Sequence, residues 1–507
     1  MHQIQDLSAT HFYIMTSAAR KYCLALALLC SFCGLFGQDS TPGTQINPGN
    51  TSAMASRYDS ISAPHPGDSF LIGEIFITGN RKTKAYIIER ELPFKRGDTV
   101  RMPVLVKAFE YARERIINTR LFVDVVISLK GFRGFIADIQ IDVKERWYIF
   151  PIPYIRPVDR NFTAWAEKNY SLSRIDYGLR YSQYNFTGRN DYLRLWLITG
   201  YSQQIELAYE QPYADKSLKH GFGVGFNYAN LKEINVRTEN NQQKFINSDS
   251  IPYSSTYLRK TLSASLRYYY RPALKTRHFV RLSFNRVIVD SAVTVYNPNY
   301  LNDNRREVFY PEISYVVNYN NVDYAPYPLK GFLFEGGFLH RGINADMNLW
   351  QLYGKSINAW EIAEKTNFVT QNMGVLKLPF DQPFYNQQLF GYGDFYMRGM
   401  EKYVMDGTAG ILGRNTFLRE LFNFSLPFIH SSWSHDRIPF RIYAKTYLDY
   451  SYAYNKDFRD NSLVNRMLFS GGFGVDVVTF YDLVFRFEYS FNQLGEKGFF
   501  FHIRNDF

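Results

Sequence analysis

From Pro151 onward, apolar and polar side chains alternate along one segment after another, and this pattern limits the possible folds severely. A β-strand points successive side chains to opposite faces, so each segment has one apolar and one polar face. Charged residues at every second position cannot lie unpaired in a dry core, but they can line a wet lumen while the other face meets lipid. The pattern therefore predicts a transmembrane antiparallel β-barrel. Alternation is clearest in Ile205–Glu210, Phe222–Tyr228, Leu262–Tyr268 and Leu483–Phe491.

The last ten residues, Gly498–Phe507, form another alternating segment, and a tilted strand of this length crosses a bilayer core. Ending on an aromatic residue is typical of the closing strand of an outer-membrane barrel. A soluble β-sandwich could end in the same way, so this segment alone leaves both alternatives open. One face carries Phe499, Phe501, Ile503 and Phe507, and the other carries Phe500, His502, Arg504 and Asp506.

Composition favours the barrel. The chain has 40 Tyr and 43 Phe, yet its mean hydropathy is −0.29. Aromatic girdles around a polar lumen give this combination. We expect no membrane-spanning helix after the N-terminal leader, because we find no apolar run of about 18 residues there. Residues 151–507 accommodate about sixteen strands, at roughly 22 residues for each strand and loop. The net charge of +11 fits a basic lumen or periplasmic surface, and no motif predicts nucleic-acid binding.

The N-terminus predicts a signal peptide over residues 1–37, with Arg20 and Lys21 before an apolar core. Met1 and Met15 both remain possible start codons. All three cysteines lie inside this leader, so we expect no disulfide and no thiolate metal site in the mature chain. Residues 38–69, rich in Ser, Thr, Pro, Gly and Asn, are interpreted as a disordered tether.

Residues 70–150 predict a small α/β domain with the element order β-α-α-β-β. Leu71–Thr78 is its first strand, and Lys84–Glu91 is a short helix. A longer helix follows Pro103, which suits a first helical turn. Phe122–Leu129 and Phe135–Val143 complete the domain as a hairpin.

The small domain resembles a POTRA module, and the alternating region resembles the barrel of the BamA/TamA family. The motifs occur in the family's order over about Leu71–Phe507, although Met397, Met400 and Ser451 depart from it. For the domain they are Gly79-Asn80, Arg90-Glu91-Leu92, Gly97-Asp98, Asn118-Thr119, Leu121-Phe122 and Glu145-Arg146-Trp147; for the barrel they are Asn185-Phe186-Thr187-Gly188, Glu210-Gln211-Pro212, Asp323…Pro328…Gly331, Tyr396–Met400 and Tyr447–Ser451.

The resemblance implies that the loop carrying Arg398 and Gly399 folds back into the lumen. Its arginine would pair with an acidic residue, with Asp449 and, second, Glu420 as candidates. A guanidinium in a confined lumen needs a carboxylate partner, and glycine permits a turn that a Cβ would resist. Without the family resemblance, an ordinary Arg-Gly pair on a surface loop explains the same residues.

The resemblance further implies an outer-membrane assembly factor with its POTRA domain in the periplasm. The first barrel strand, Ile175–Tyr184, would pair with the last strand at a lateral seam that opens to insert or translocate other polypeptides. Expected partners are the outer-membrane bilayer, unfolded outer-membrane or secreted polypeptides, and periplasmic or lipoprotein partners bound through POTRA, with no nucleic acid. A passive channel and a structural scaffold for periplasmic partners remain the alternatives. The seam residues are Ile175, Tyr177, Leu179, Tyr181, Phe501, Ile503 and Phe507.

No catalytic motif is present, and we expect no enzyme activity, no cofactor and no metal. The basic stretches 81–84, 95–96 and 113–115 are interpreted either as solvated faces or as a docking surface for clients.

Overall fold

The computed structural model describes residues 69–157, 172–342, 347–393, 395–427, 437–457, 460–479 and 482–503. Within these ranges the chain forms a small α/β domain followed by a sixteen-stranded antiparallel sheet. The predicted fold class is therefore confirmed. The predicted signal peptide, the tether up to residue 68 and Phe507 lie outside the described residues.

The small domain has a four-stranded sheet in the order β2-β1-β4-β3, with β1 parallel to β4. Its longer helix begins at Met102 with a proline in the first turn, as predicted, because proline needs no backbone partner there. Strand β2 was not predicted, since three residues are too short to show a period. The elements are β1 Ser69–Thr78, α1 Ala85–Glu89, β2 Thr99–Arg101, α2 Met102–Ile117, β3 Phe122–Arg133 and β4 Ile136–Glu145.

In the large sheet the strands lie side by side in the order in which they occur in the sequence, from β5 at one edge to β24 at the other. Two hairpins, β10–β11 and β18–β19, lie outside it. Its strands are β5 Ile149–Pro157, β6 Ile175–Tyr184, β7 Tyr192–Gly200, β8 Gln203–Gln211, β9 His220–Leu231, β12 Arg259–Tyr270, β13 Thr276–Val289, β14 Glu307–Val322, β15 Gly331–Arg341, β16 Leu349–Ala363, β17 Thr366–Leu378, β20 Ala409–Pro427, β21 Arg437–Tyr454, β22 Met467–Val478, β23 Val484–Asn492 and β24 Lys497–Ile503. The connections contain β10 Glu233–Glu239, β11 Gln242–Asn247, α3 Ser291–Tyr296, α4 Phe384–Gln387, β18 Gln388–Phe390 and β19 Met405–Asp406.

The large sheet is curled. Residues on strands that are far apart in the strand order contact each other across the interior. The Tyr327 hydroxyl, between β14 and β15, donates to Asp476 on β22 at 2.9 Å. The Tyr324 hydroxyl bonds to Asp482, between β22 and β23.

The predicted alternation is present in the described strands. In β12 and β23 the outward side chains Leu262, Leu266 and Phe487 are exposed, as lipid-facing residues are in the absence of lipid. Glu488, the neighbour of Phe487, is fully buried on the inner face. Among the described residues, no helix is both long and apolar enough to cross a membrane.

The predicted first barrel strand was wrong. Ile175–Tyr184 is the second strand of the sheet, and Ile149–Pro157 precedes it as the edge strand β5. Three prolines in β5 hid its strand character from the sequence analysis. Proline lacks a backbone N–H and is confined to edge strands and strand ends, so its presence here agrees with the edge position.

Candidate functional site in the barrel lumen and at the seam

The connection between β17 and β20 folds into the interior of the barrel. Leu389, Phe390 and Met397 of this loop are almost fully buried and pack against Met373 and Leu412 on the flanking strands. We call this connection, residues 379–408, the lumenal loop. Its apolar side chains account for its stable position inside a largely polar lumen.

Arg398 is held at the inner wall by a fork of hydrogen bonds to Asp449 on β21. Its Nε donates to Oδ2 at 2.8 Å and its Nη2 donates to Oδ1 at 2.5 Å, while its backbone N–H lies 3.2 Å from Oδ2. Nη2 also donates to Thr416 on β20 at 3.0 Å. Asp449 is completely buried. The predicted contact is thus present, and its bidentate geometry fixes one orientation of the loop.

Two further features fit the arginine into its site. The guanidinium lies over the ring of Tyr447, 4.0 Å from the centroid, which allows a cation–π interaction. Gly399 has φ +80°, and a Cβ there would approach the Cβ of Ser490 to 3.0 Å. Glycine is therefore needed both for the turn and for the close approach to β23.

A second layer of charges surrounds this pair. Lys445 on β21 bridges Asp476 at 2.5 Å and Glu488 at 2.6 Å, and Glu488 lies 3.9 Å from the Arg398 guanidinium. His502 on β24 lies 3.5 Å from Glu488. The ion cluster, defined as Arg398, Lys445, Asp449, Asp476, Glu488 and His502, thus reaches from the lumenal loop to the last strand. Sequence reasoning missed Lys445, Asp476 and Glu488 as partners, although they occupy inward positions of alternating strands.

Glu420 is not a partner of Arg398, so that prediction was wrong. Its carboxylate accepts a hydrogen bond from Tyr443 at 3.2 Å. Glu420 lies four residues along β20 from Thr416, which is about 13 Å at the usual rise per residue. The two candidate partners, Glu420 and Asp449, lie on the neighbouring strands β20 and β21. The sequence alone did not show how far into the barrel the loop carrying Arg398 reaches.

The small domain lies across one end of the barrel and is fixed there by buried charges. Glu91 accepts two hydrogen bonds from Arg271, at 2.5 and 2.7 Å, and lies 3.4 Å from Arg115 of α2. Arg271 follows β12, and its Nη1 also donates to Tyr213 at 2.6 Å. Arg90 stacks on the Tyr213 ring at 4.2 Å. We call these five residues the domain clasp.

Burial alone would raise the pKa of the Glu91 carboxyl. The charge of Arg271, its hydrogen bonds and the charge of Arg115 outweigh that effect and hold the pKa of Glu91 below its ordinary value. The carboxylate therefore stays ionised in the interface.

Three other contacts extend the docking around this end. The Asn118 amide donates to the backbone carbonyl of Val322 at 3.1 Å, and Asn185 donates to Thr83 at 2.8 Å. Arg146 donates to both carboxylate oxygens of Asp482, at 2.8 and 3.0 Å.

These contacts bear on the basic stretches of the domain. Arg115, buried to 5% exposure, serves the interface with the barrel rather than a solvated face or a client surface. Arg96 is exposed and pairs with Glu74 at 2.7 Å. Within the basic stretch 113–115, Arg115 therefore contacts the barrel and is not available at the surface.

The lumen beside the loop holds a cavity of about 740 Å³ lined mainly by β7–β17. Its wall carries charges of both signs. Arg194 and Glu206 pair there at 2.8 Å, and Arg341 and Glu312 also pair at 2.8 Å.

The predicted seam residues separate into two groups. Ile175, Tyr177, Leu179 and Tyr181 lie on β6, which is hydrogen-bonded on both sides and is therefore not at the seam. Phe501 and Ile503 lie on β24, the edge strand, as predicted. Within the described residues the sheet has no ladder between β5 and β24.

Residues 70–146 match a family model described as "POTRA: Surface antigen variable number repeat". Among solved structures, CdiB from Escherichia coli is similar at 11% identity and a TM-score of 0.51, over 86% of this chain and 76% of that one. BamA from Haemophilus ducreyi lacking POTRA domains 1–3 aligns at 17% identity and a TM-score of 0.45, over 85% and 84% of the two chains. A comparison with curated protein sequences gives no match.

The described chain thus combines a POTRA domain with a sixteen-stranded antiparallel barrel sheet, and CdiB has a similar fold. The POTRA match and this shared architecture agree with the resemblance to the BamA/TamA family that the motifs carry. The described part of the chain contains one POTRA domain.

Proposed function

We propose that this protein is an outer-membrane assembly factor that inserts or translocates polypeptides through the seam between β5 and β24. The POTRA domain would lie in the periplasm and dock clients or accessory partners. The observation that carries the proposal is the unpaired seam itself. Within the described residues the two edges of the sixteen-stranded sheet form no ladder with each other, and such edges offer backbone groups on which an extended client strand can be added.

The ion cluster supports this function because of its position next to the seam. It ties the lumenal loop to β21, β22 and β23, and through His502 it reaches β24. The wall beside the seam is therefore stiffened from inside, while β5 on the other side has no such support from this cluster. The free energy for assembly would come from client folding and burial in lipid, so no cofactor is needed.

An assay with the purified protein in liposomes tests the proposal. The client is an eight-stranded outer-membrane barrel protein unfolded in urea, and folding is followed by its protease resistance and heat-modifiable migration. We expect folding several-fold faster than in empty liposomes. Equal rates in the two kinds of liposome would contradict an assembly function. In cells, depletion should lower many outer-membrane proteins, whereas loss of a single complex would favour a scaffold.

A passive channel is the second candidate, and the cavity of about 740 Å³ favours it. The lumenal loop and the docked POTRA domain oppose it, since both obstruct the path through the barrel. Single-channel recording in planar bilayers separates the two functions. A wide and steady conductance would favour the channel, and brief or small openings agree with the assembly function.

A further inference from the structure

The wall of the lumenal cavity carries more positive than negative charge. Seven cationic and four acidic side chains line the cavity. Three of the acidic residues, Glu206, Glu210 and Glu312, are each bound by one arginine. The lining residues therefore have an excess of three positive charges.

Two arginines lie directly opposite each other on this wall. Arg281 on β13 is paired in register with Arg267 on β12, and both side chains line the cavity. The Cβ atoms of such opposite residues are about 5 Å apart, and like charges in this position destabilise a sheet. An anion held between the two guanidinium groups would remove this repulsion.

Arg281 is the member of the pair that has no carboxylate of its own. Its Nε is buried and makes no hydrogen bond, and no ion pair reaches its guanidinium within the described part of the chain. The carboxylates of Glu312 and Glu210 are close enough to act on its charge. Each of them is already bound by another arginine, Glu312 by Arg341 and Glu210 by Arg267.

The residues around the two arginines add donors and leave space. Ser314 on β14 is directly opposite Arg281, and Ser265 lies two residues from Arg267 along β12. Both serines line the cavity. Gly223, opposite Arg267 on β9, adds no side chain to this part of the wall. Two guanidinium groups and two hydroxyls thus offer hydrogen-bond donors to one anion with several acceptor oxygens.

We propose that Arg267 and Arg281, together with Ser265 and Ser314, form a phosphate-binding site inside the barrel. The occupant is free inorganic phosphate or the phosphate group of a small organic molecule. Such a group carries a charge of about −1.5 to −2 at pH 7, which offsets much of the excess charge on the wall. Guanidinium groups match its geometry with paired N–H donors.

The size of the cavity, about 740 Å³, accommodates either occupant. The inference goes beyond the proposed assembly function and does not depend on it, because the site is built on the strands β12–β14, in the interior of the sheet.

Equilibrium dialysis of the full chain in detergent micelles tests the site. The probe is radiolabelled inorganic phosphate, and chloride keeps the ionic strength constant. We expect saturable binding of about one phosphate per chain. Arg281→Gln should weaken this binding about tenfold or more, because the variant loses hydrogen bonds from a charged donor.

The matched control is Arg286→Gln, which changes an arginine of the same strand whose side chain is 52% exposed and pairs with Glu307. This variant should bind phosphate as the parent protein does. Heat-modifiable migration shows whether each variant is folded. Unchanged binding by folded Arg281→Gln, or no saturable binding by the parent protein, would overturn the inference.

Competition with unlabelled anions identifies the occupant. Displacement of the label by less glycerol 3-phosphate than inorganic phosphate would identify a small organic phosphate, and the reverse order would identify the free ion. Both results agree with the proposed site. Displacement by acetate or chloride at the same concentration as phosphate would reject the phosphate class.

A change of the opposite sign separates anion binding from a structural role of the arginines. Glu210→Gln releases Arg267 from its ion pair and removes a negative charge near Arg281. Phosphate affinity should then rise several-fold, because attraction between opposite charges grows as nearby like charges are removed. A variant that merely disturbs the wall would bind less phosphate. Unchanged or weaker binding in folded Glu210→Gln would contradict the proposed role of Arg267.

Discussion

At the residue scale, Arg398 and Asp449 illustrate why a loop inside a barrel needs a charged anchor. Both side chains are almost fully removed from solvent, at 4% and 0% exposure. An isolated buried charge is costly, and the fork geometry with Thr416 compensates for this by satisfying several donors at once. The family resemblance implied this pair, whereas the residues alone did not distinguish it from an ordinary Arg-Gly pair on a surface loop. The resemblance did not imply Lys445 or Glu488 as partners, since pairing across strands depends on register.

Replacing Arg398 with alanine should loosen the lumenal loop and slow assembly several-fold while the barrel remains folded. The replacement leaves Asp449 buried without its cation, which typically costs about 3–5 kcal/mol. Heat-modifiable migration and thermal unfolding in detergent measure folding, and the liposome assay measures assembly.

The matched control for this variant is Arg286→Ala. Arg286 pairs with Glu307, and both side chains are about half exposed, so its loss should cost under about 1 kcal/mol. Assembly at full rate by Arg398→Ala, with its fold intact, would remove the loop anchor from the mechanism.

At the scale of elements, the domain clasp joins POTRA to the barrel more firmly than a flexible tether would. Glu91 lies in the short segment after α1, and its partners come from α2 and from the connection after β12. The helices and strands of POTRA were predictable from periodicity, and the POTRA family model spans nearly the same residues, 70–146. The clasp was not predictable, because Glu91 and Arg271 are 180 residues apart and neither belongs to a periodic pattern.

Acid should release the docked domain. A carboxyl whose pKa is lowered by folding stabilises the folded state above its unfolded pKa, about 4.3 for glutamate, and this contribution is lost as pH falls through the lower folded value. Spin labels on the exposed residues Lys107 and Lys216, on opposite sides of the interface, report the distance between domain and barrel. We expect a narrow distance distribution at pH 7 that broadens below about pH 4.

The variant Glu91→Gln should broaden the same distribution already at pH 7, because Arg115 and Arg271 lose their ionised partner. Glu110→Gln on the exposed face of α2 is the control and should behave as the parent protein does. A narrow distribution in Glu91→Gln would mean that apolar contacts alone hold the domain.

At the scale of the whole molecule, the alternation of side chains was enough to predict a barrel of about sixteen strands, because inward and outward positions face different solvents. The position of the seam was not predictable. Because three prolines removed the strand signal from β5, the predicted barrel began one strand late.

A disulfide across the seam tests whether the seam must open for assembly. Cysteine pairs scanned along seam-facing positions of β5 and β24 lock the two edges together. The control disulfide joins Ile155→Cys to Tyr177→Cys, which are directly opposite on β5 and β6. We expect oxidised seam variants to fail to assemble the client in liposomes and to recover on reduction, whereas the control works in both states. Assembly at full rate with the seam locked would show that the seam does not need to open.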